Sequence, residues 1–343
     1  MSSEPATYNR KTIFHRCTAG LALIAASFAW SLPAKAQEEA EIGTLSLVLE
    51  NDLFYDTDRN YTNGVLASWL SGPDRVPAWA SAAARRFPLF PDVGAVRASY
   101  AIGQNMYTPE DIEIPNPPLD DRPYAGWLYG SIGLVVETGP RLDQLELTLG
   151  VIGPASLAEQ TQKFIHEITN SPEPRGWDTQ LKNEPGVVLT YRRSWRRFVE
   201  TTALGNTFDI TPHAGGALGN VFTNANAGLT LRLGRRLPHD YGPPRIQPSL
   251  PGSGFFMPQG RFGWYVFAGM EGRAVARNIF LDGNTFRHSR SVDREPLVGD
   301  LQFGLVLTWH NVRLGYTHVM RTREFETQDE SDNFGAVGLS IRY

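Results

Sequence analysis

Residues 333–343 read NFGAVGLSIRY. Val337, Leu339, Ile341 and Tyr343 alternate with Gly338, Ser340 and Arg342, so a strand here has one apolar face and one small or polar face. The same period recurs upstream in runs bounded by Gly, Pro or Asp. It is found at Thr44–Leu49, Val65–Leu70, Val96–Gln104, Trp127–Glu137, Gln144–Ile152 and Gly186–Ser194. It continues at Asn206–Gly219, Asn224–Gly234, Phe262–Asp282, Leu297–Trp309 and Asn311–Arg321. With Phe262–Asp282 taken as one long strand, the chain has twelve. His310–Asn311 reads as a tight turn and Pro238–Gly260, rich in Pro and Gly, as a long loop. Strands of about ten residues joined in this way form antiparallel transmembrane barrels, which close with an even number. The expected fold is all-β: a twelve-stranded antiparallel transmembrane β-barrel with a short helix near the active site.

An alternating last strand with an aromatic end also resembles the recognition signal of outer-membrane barrels, although any sheet contains amphipathic strands. The other end of the chain agrees. Arg10, Lys11 and Arg16 precede an apolar core, Ala19–Leu32, and Ala34-Lys35-Ala36 has the form of a cleavage site. Residues 1–36 are therefore expected to be a removed signal peptide and residues 37–343 the barrel domain, a monomer in the cell outer membrane. Cys17, the only cysteine, lies ahead of the apolar core, so neither a lipid anchor at the cleavage point nor a disulfide is expected. Removing residues 1–36 takes four of the 32 basic residues and one of the 36 acidic ones, leaving 28 against 35 and a net charge of −7. That balance excludes a nucleic-acid partner, which calls for a basic surface.

Chemistry concentrates where the first two strands meet. Residues 50–64 read ENDLFYDTDRNYTNG, a carboxylate-rich strand end with amide and hydroxyl neighbours. Strand geometry sends Glu50 and Asp52 one way and Asn51 the other. Oxygen ligands of this kind suit a hard cation such as Ca²⁺. The spacing is not that of an EF-hand loop, and a polar hairpin loop is the plainer reading.

One segment breaks the β pattern. Ser156–Asn170, SLAEQTQKFIHEITN, has Ser156 and Glu159 at capping-box spacing, and Pro172 and Pro174 end it. Leu157, Phe164, Ile165 and Ile168 recur at roughly helical spacing and should supply apolar contacts. A barrel leaves such a helix no sheet to cover, so it belongs against the rim or in the mouth. Gln162 and His166, four apart, share one helical face. A lone His is usually solvated or packed, yet His213, His239, His288, His310 and His318 lack a comparable companion. Imidazole is the side chain best suited to take a proton near neutral pH.

Other chemistries are missing. There is no G-x-S-x-G elbow, no H-E-x-x-H (Asn170 stands where the second His belongs) and no phosphate-binding G-x-x-x-x-G-K-[ST]. What remains is a His base acting on water, with a cation on oxygen ligands. Two rivals stay open: a passive porin or structural barrel, and a soluble periplasmic binding protein.

The chain resembles the lipid A 3′-O-deacylase family of Gram-negative outer membranes, the LpxR type. The resemblance rests on Glu50-Asn51-Asp52, Tyr61-Thr62-x-Gly64, Gln104 with Tyr107-Thr108-Pro109, and Asp121 through Trp127 (DRPYAGW). It continues in Gly150-Val151-Ile152-Gly153-Pro154, Gln162-x-x-x-His166 and Gly176-Trp177-x-x-Gln180-x-x-Asn183-Glu184. The family's catalytic residues fall on Asn51, Thr62, Gln162 and His166, and its metal ligand on Asp52. The resemblance implies a Ca²⁺-dependent carboxylic ester hydrolase acting on lipid A, a component of lipopolysaccharide, with His166 deprotonating water and Ca²⁺ at Asp52 polarising the ester. Asn51, Thr62 or Gln162 would hydrogen-bond the oxyanion or orient the imidazole. One feature departs: the family's basic pair after the Tyr-x-Pro block is absent, and Glu110–Asp121 is acidic and Pro-rich. Arg192 and Arg193, or Arg321 and Arg323, are the candidates to replace it.

Overall fold

The computed structural model describes residues 43–51, 60–243, 245–246 and 254–343, with backbone only at 60–62. The expected signal peptide, and Asp52, lie outside them. The strands are β1 (Gly43–Asn51), β2 (Asn60–Ser71), β3 (Ala95–Thr108), β4 (Ala125–Thr138), β5 (Arg141–Ile152) and β6 (Glu184–Trp195). There follow β7 (Val199–Ala203), β8 (Asn206–Gly219), β9 (Phe222–Arg235), β10 (His239–Asp240), β11 (Phe256–Met257), β12 (Phe262–Asn278), β13 (Leu297–Trp309), β14 (Val312–Arg321) and β15 (Asp332–Arg342). The helices are α1 (Ala78–Ala84), α2 (Ala158–Thr169) and α3 (Ile279–Asp282).

Twelve of the strands close into one antiparallel barrel, each paired with its neighbour in sequence, and β1 seals the ring against β15. The short β7 is the continuation of β6 beyond a kink, since both pair with β8. All twelve alternating runs are barrel strands. Several strands run past the expected bounds, β2 from Asn60 and β3 to Thr108, whereas the run Phe262–Asp282 overshoots its strand. There β12 stops at Asn278, whose side chain accepts the Phe280 N–H and starts the turn of helix α3. Asn in that position caps a helix and so ends a strand.

The burial pattern is inside out for a water-soluble sheet. Ile102, Ile132, Leu149, Val266, Met270, Leu301 and Leu305 are exposed, while Glu271, Arg273, Asp300, Arg313 and Arg321 are buried. Outward apolar and inward polar residues are what a barrel spanning a bilayer requires. In the lumen the charges neutralise one another. Asp300 accepts from Arg273 at 3.0 and 3.2 Å and from Arg321 at 2.9 and 3.1 Å. Glu271 accepts from Arg192 at 2.6 Å and meets His213 at 2.9 Å.

The tight turns at 139–140, 204–205 and 310–311 all lie at the end holding the chain terminus, which marks it as the periplasmic end. The described part of Pro238–Gly260, the expected long loop, starts from that end. It runs back into the lumen. Asp240 bonds to Arg232, Arg313 (3.1 Å) and the Tyr265 hydroxyl (3.0 Å) near the lower end, and Ile246 donates its N–H to Glu50 at the upper end of β1 (2.8 Å). Apolar and polar residues alternate too weakly in this segment to betray its place; the pull is from arginines on the surrounding strands.

Candidate active site

Helix α2 lies along the outside of the barrel, across the loop ends of β3 and β4. It comes this close because residue 126 is glycine: a Cβ there would sit 2.2 Å from both Ala158 Cβ and Ser156 Oγ. Gln104 on β3 adds a tie, its Nε2 donating to the Ser156 carbonyl at 2.6 Å. The expected capping box does not form. Ser156 belongs to a single 3-10 turn, Leu157 occupies the N-cap with φ 59° and no side-chain cap, and Glu159 pairs with Lys163 instead, at 2.7 Å. The chain must reverse from β5 over the wall here, and Gly153 begins that reversal at φ 90°, a conformation only glycine adopts freely. Nor do Leu157, Phe164 and Ile168 make the expected contacts; they are exposed.

The buried face of α2 carries Ala158, Gln162 and His166. Gln162 Oε1 accepts the Trp177 indole N–H at 2.7 Å. Trp177 is itself fixed against Tyr124, with ring centroids 4.9 Å apart, in a cluster with Met106, Ile112 and Ala158. An indole N–H only donates, so the amide orientation is set and Nε2 faces the other way. That nitrogen is buried with no acceptor among the described residues. His166 Nδ1 lies 2.5 Å from the Pro172 carbonyl. A carbonyl only accepts, so Nδ1 carries the hydrogen and the lone pair of the neutral ring sits on Nε2. The proline that stops the helix also fixes the tautomer.

The strand side is read from register, because directly opposite residues share a face. Asn51, buried at the end of β1, stands opposite Asn63 on β2; Asn63 opposes Met106 on β3, and Met106 opposes Gly126 on β4, beneath the helix. Three inter-strand steps of about 4.8 Å each carry this row across about 14 Å, less than the length of about 18 Å for a helix of twelve residues. Thr62 is the extra residue of a β-bulge, between the pairs Tyr61–Tyr107 and Asn63–Met106. Bulges re-aim a side chain and gather near active sites. Asn51 thus lies on the outer row that ends under α2 at Gly126, and the Thr62 backbone adjoins that row.

Glu50 turns the other way, into the lumen, and so leaves the oxygen donors on the outer side to its neighbours. Among the described residues no three His, Cys, Asp or Glu come together to hold a metal. Asn63 Oδ1 is nevertheless buried with no donor among the described residues, next to Asn51 in the register. An unsatisfied carbonyl oxygen there fits a hard cation. Trp177, Pro172 and Asn63 were not singled out for roles by the sequence. Trp177 sits in a quoted block, Asn63 fills its unspecified position, and Pro172 acts through a main-chain oxygen.

Of the candidate replacements for the missing basic pair, Arg192 and Arg321 point into the lumen. Arg193 bonds Asp143 at 2.7 Å near the periplasmic end. Arg323 alone of the four is exposed at the loop end, 4.0 Å from Glu295. In the acidic loop Asp121 accepts the N–H groups of Glu110 (2.8 Å) and Arg122 (2.7 Å), and burial pushes its carboxyl up from the ordinary value.

The family profile described as outer membrane protein LpxR matches residues 21–343. Among solved structures, LpxR from Salmonella typhimurium is similar over 87% of this chain and 99% of its own, with a TM-score of 0.71 and 21% identity. The β domain of the Bordetella autotransporter BrkA is similar over 89% and 99%, with a TM-score of 0.42 and 10% identity. No curated protein matches the sequence. A profile covering nearly the whole chain and a shared closed barrel lead to one conclusion: this outer-membrane protein belongs to the LpxR family.

Proposed function

We propose that this protein is a Ca²⁺-dependent ester hydrolase that removes acyl chains from lipid A by 3′-O-deacylation, using water activated by His166. The observation that carries the reading is the fixed imidazole. Its Nδ1–H is held by the Pro172 carbonyl, which makes Nε2 the basic nitrogen, and the buried Gln162 amide stands on the same helical face. The substrate class comes from the family and from the site's place on the outer wall of the barrel.

His166 Nε2 takes a proton from water as the water oxygen bonds to the ester carbonyl carbon. The carbonyl electrons move onto oxygen, and Gln162 Nε2–H donates to that oxyanion. Asn51 and Thr62 supply further donors from the strand side. Removing one donor of this kind costs about 10²–10³ in rate. The tetrahedral species then collapses, the C–O bond to the sugar breaks, and His166 returns its proton to the sugar oxygen. The products are a free fatty acid and a lipid with a free hydroxyl. Asp52, with the side-chain oxygens of Asn51 and Asn63, would hold Ca²⁺, which polarises the ester carbonyl when bound.

The test is mass spectrometry of lipid A vesicles incubated with the purified protein in Ca²⁺, in Mg²⁺ or in chelator. Acyl loss is expected with Ca²⁺, little with Mg²⁺, which demands tighter octahedral geometry, and none in chelator. Full activity in chelator rejects the metal-dependent reading.

A further inference from the structure

Phe164 and Ile168 on α2 are 63% and 66% exposed, and Leu157 at its N-cap 53%, in a helix whose other side holds the two residues assigned to catalysis. Their arrangement is ordered. At about 100° per residue Phe164 and Ile168 fall on a single stripe edged by Thr161, and Leu157 lies at the N-terminal end of the helix. A second flank carries Glu159, Gln160, Lys163 and Glu167, and a third is the buried face of Ala158, Gln162 and His166. A water-facing surface helix needs two faces. This one has three, and the additional one, the stripe of Phe164 and Ile168, is apolar and uncovered.

The contacts tell which flank points where. Ala158 faces the wall at Gly126. Turning from Ala158 through Gln162 to His166 leads to Trp177 and Pro172, in a segment that packs on residues 112–124 beyond the strand ends. That rotation continues onto the charged flank, which therefore points away from the bilayer. Turning the opposite way from Ala158 leads to the apolar stripe, which therefore points toward the middle of the barrel. Directly along the wall in that direction are Ile102, Ile132 and Leu149, at 61%, 50% and 50% exposure, part of the lipid-facing band. The stripe continues that band outward from the wall.

We infer that α2 is an interfacial helix whose Phe164–Ile168 flank is immersed in the hydrocarbon chains of the outer leaflet, so that an acyl ester enters the cleft sideways from the membrane. Helices with one apolar and one charged flank lie in the plane of the interface, with the apolar side about 5–10 Å deep. Here the third flank is clamped to the wall. The carbonyl of a bilayer-embedded ester sits at that same depth, between chains and headgroups, and the stripe sets the height of His166 against it.

The chain lends itself to the test, because no cysteine follows Cys17. Phe164→Cys, Ile168→Cys, Glu159→Cys and Lys163→Cys are each spin-labelled in the folded protein, reconstituted in phospholipid bilayers. Labels at 164 and 168 are expected to collide several-fold more with dissolved oxygen than with a water-soluble nickel chelate, and labels at 159 and 163 the reverse. Equal nickel access at all four overturns the inference. A second arm rests on the ester hydrolase reading. Phe164→Ser with Ile168→Ser is expected to lower turnover of bilayer-embedded substrate at least several-fold and leave a dispersed short-chain ester unaffected. An equal effect on both substrates, or none on either, overturns it. The spectroscopic arm needs no activity, so a failure of the chemistry and a failure of the membrane contact are told apart.

Discussion

His166 and Gln162 are each fixed by one partner whose chemistry allows a single orientation. Trp177 can only donate and the Pro172 carbonyl can only accept, so both side chains are oriented without any hydrogen having been seen. Trp177→Phe keeps most of the apolar packing and removes the N–H, leaving the Gln162 amide to turn. About a tenfold fall in kcat is expected, less than the 10²–10³ for losing a donor outright, with KM little changed and the barrel intact. Steady-state kinetics on micellar substrate check this, and unchanged kcat would mean that Gln162 needs no anchor. The Gln162/His166 pair was legible in the sequence because spacing of four puts side chains on one helical face. Their partners were not. A main-chain carbonyl has no residue type to read, and a tryptophan eleven positions past His166 shows its purpose only once the loop has folded back.

Among the elements, the twelve strands were legible because inward and outward residues alternate in every one of them. Alternation says which residues share a face; it does not say what a segment without alternation will do. Pro238–Gly260 therefore read only as a long loop, without a sign that buried arginines hold its described residues in the lumen. Likewise the spacing of Ser156 and Glu159 suggested a cap that the sharp reversal at Gly153 does not permit. Phe164 and Ile168 read as contacts because spacing cannot distinguish a protein neighbour from a lipid one. The loop at 322–331, between β14 and β15, carries a further expectation. Burial would raise the Glu324 carboxyl, but the Arg321 and Arg122 guanidiniums outweigh it and hold it below the usual range. A depressed carboxyl contributes stability that is complete above its unfolded pKa of about 4.3 and is lost as pH falls toward the folded value. Amide exchange across 322–331 should therefore speed up as pH drops below that point, after correction for intrinsic rates. Glu324→Gln should show the fast exchange already at neutral pH. Protection that is flat with pH, or unchanged in Glu324→Gln, would place the loop's anchorage elsewhere.

At the scale of the molecule the barrel separates two tasks. Its lumen holds paired charges and, among the described residues, a returning segment bonded at Asp240 below and to Glu50 above. Its outer wall carries helix α2, with Gln162 and His166 on the buried face of that helix. Lumen and outer wall meet at one place: Glu50 and Asn51 are consecutive, one anchored in the lumen and the other on the outer face of β1. The same alternation that builds the barrel thus sends one of two adjacent residues to a structural anchor and the other toward the proposed site. The central claim is that His166 is the base. The direct measurement is single-turnover deacylation of lipid A in vesicles, followed by mass spectrometry, for the unaltered protein and for His166→Asn, whose folding is verified by its shift in gel mobility on boiling. The account predicts acyl loss by the first and essentially none by the second. Deacylation at an unaltered rate by folded His166→Asn would contradict it.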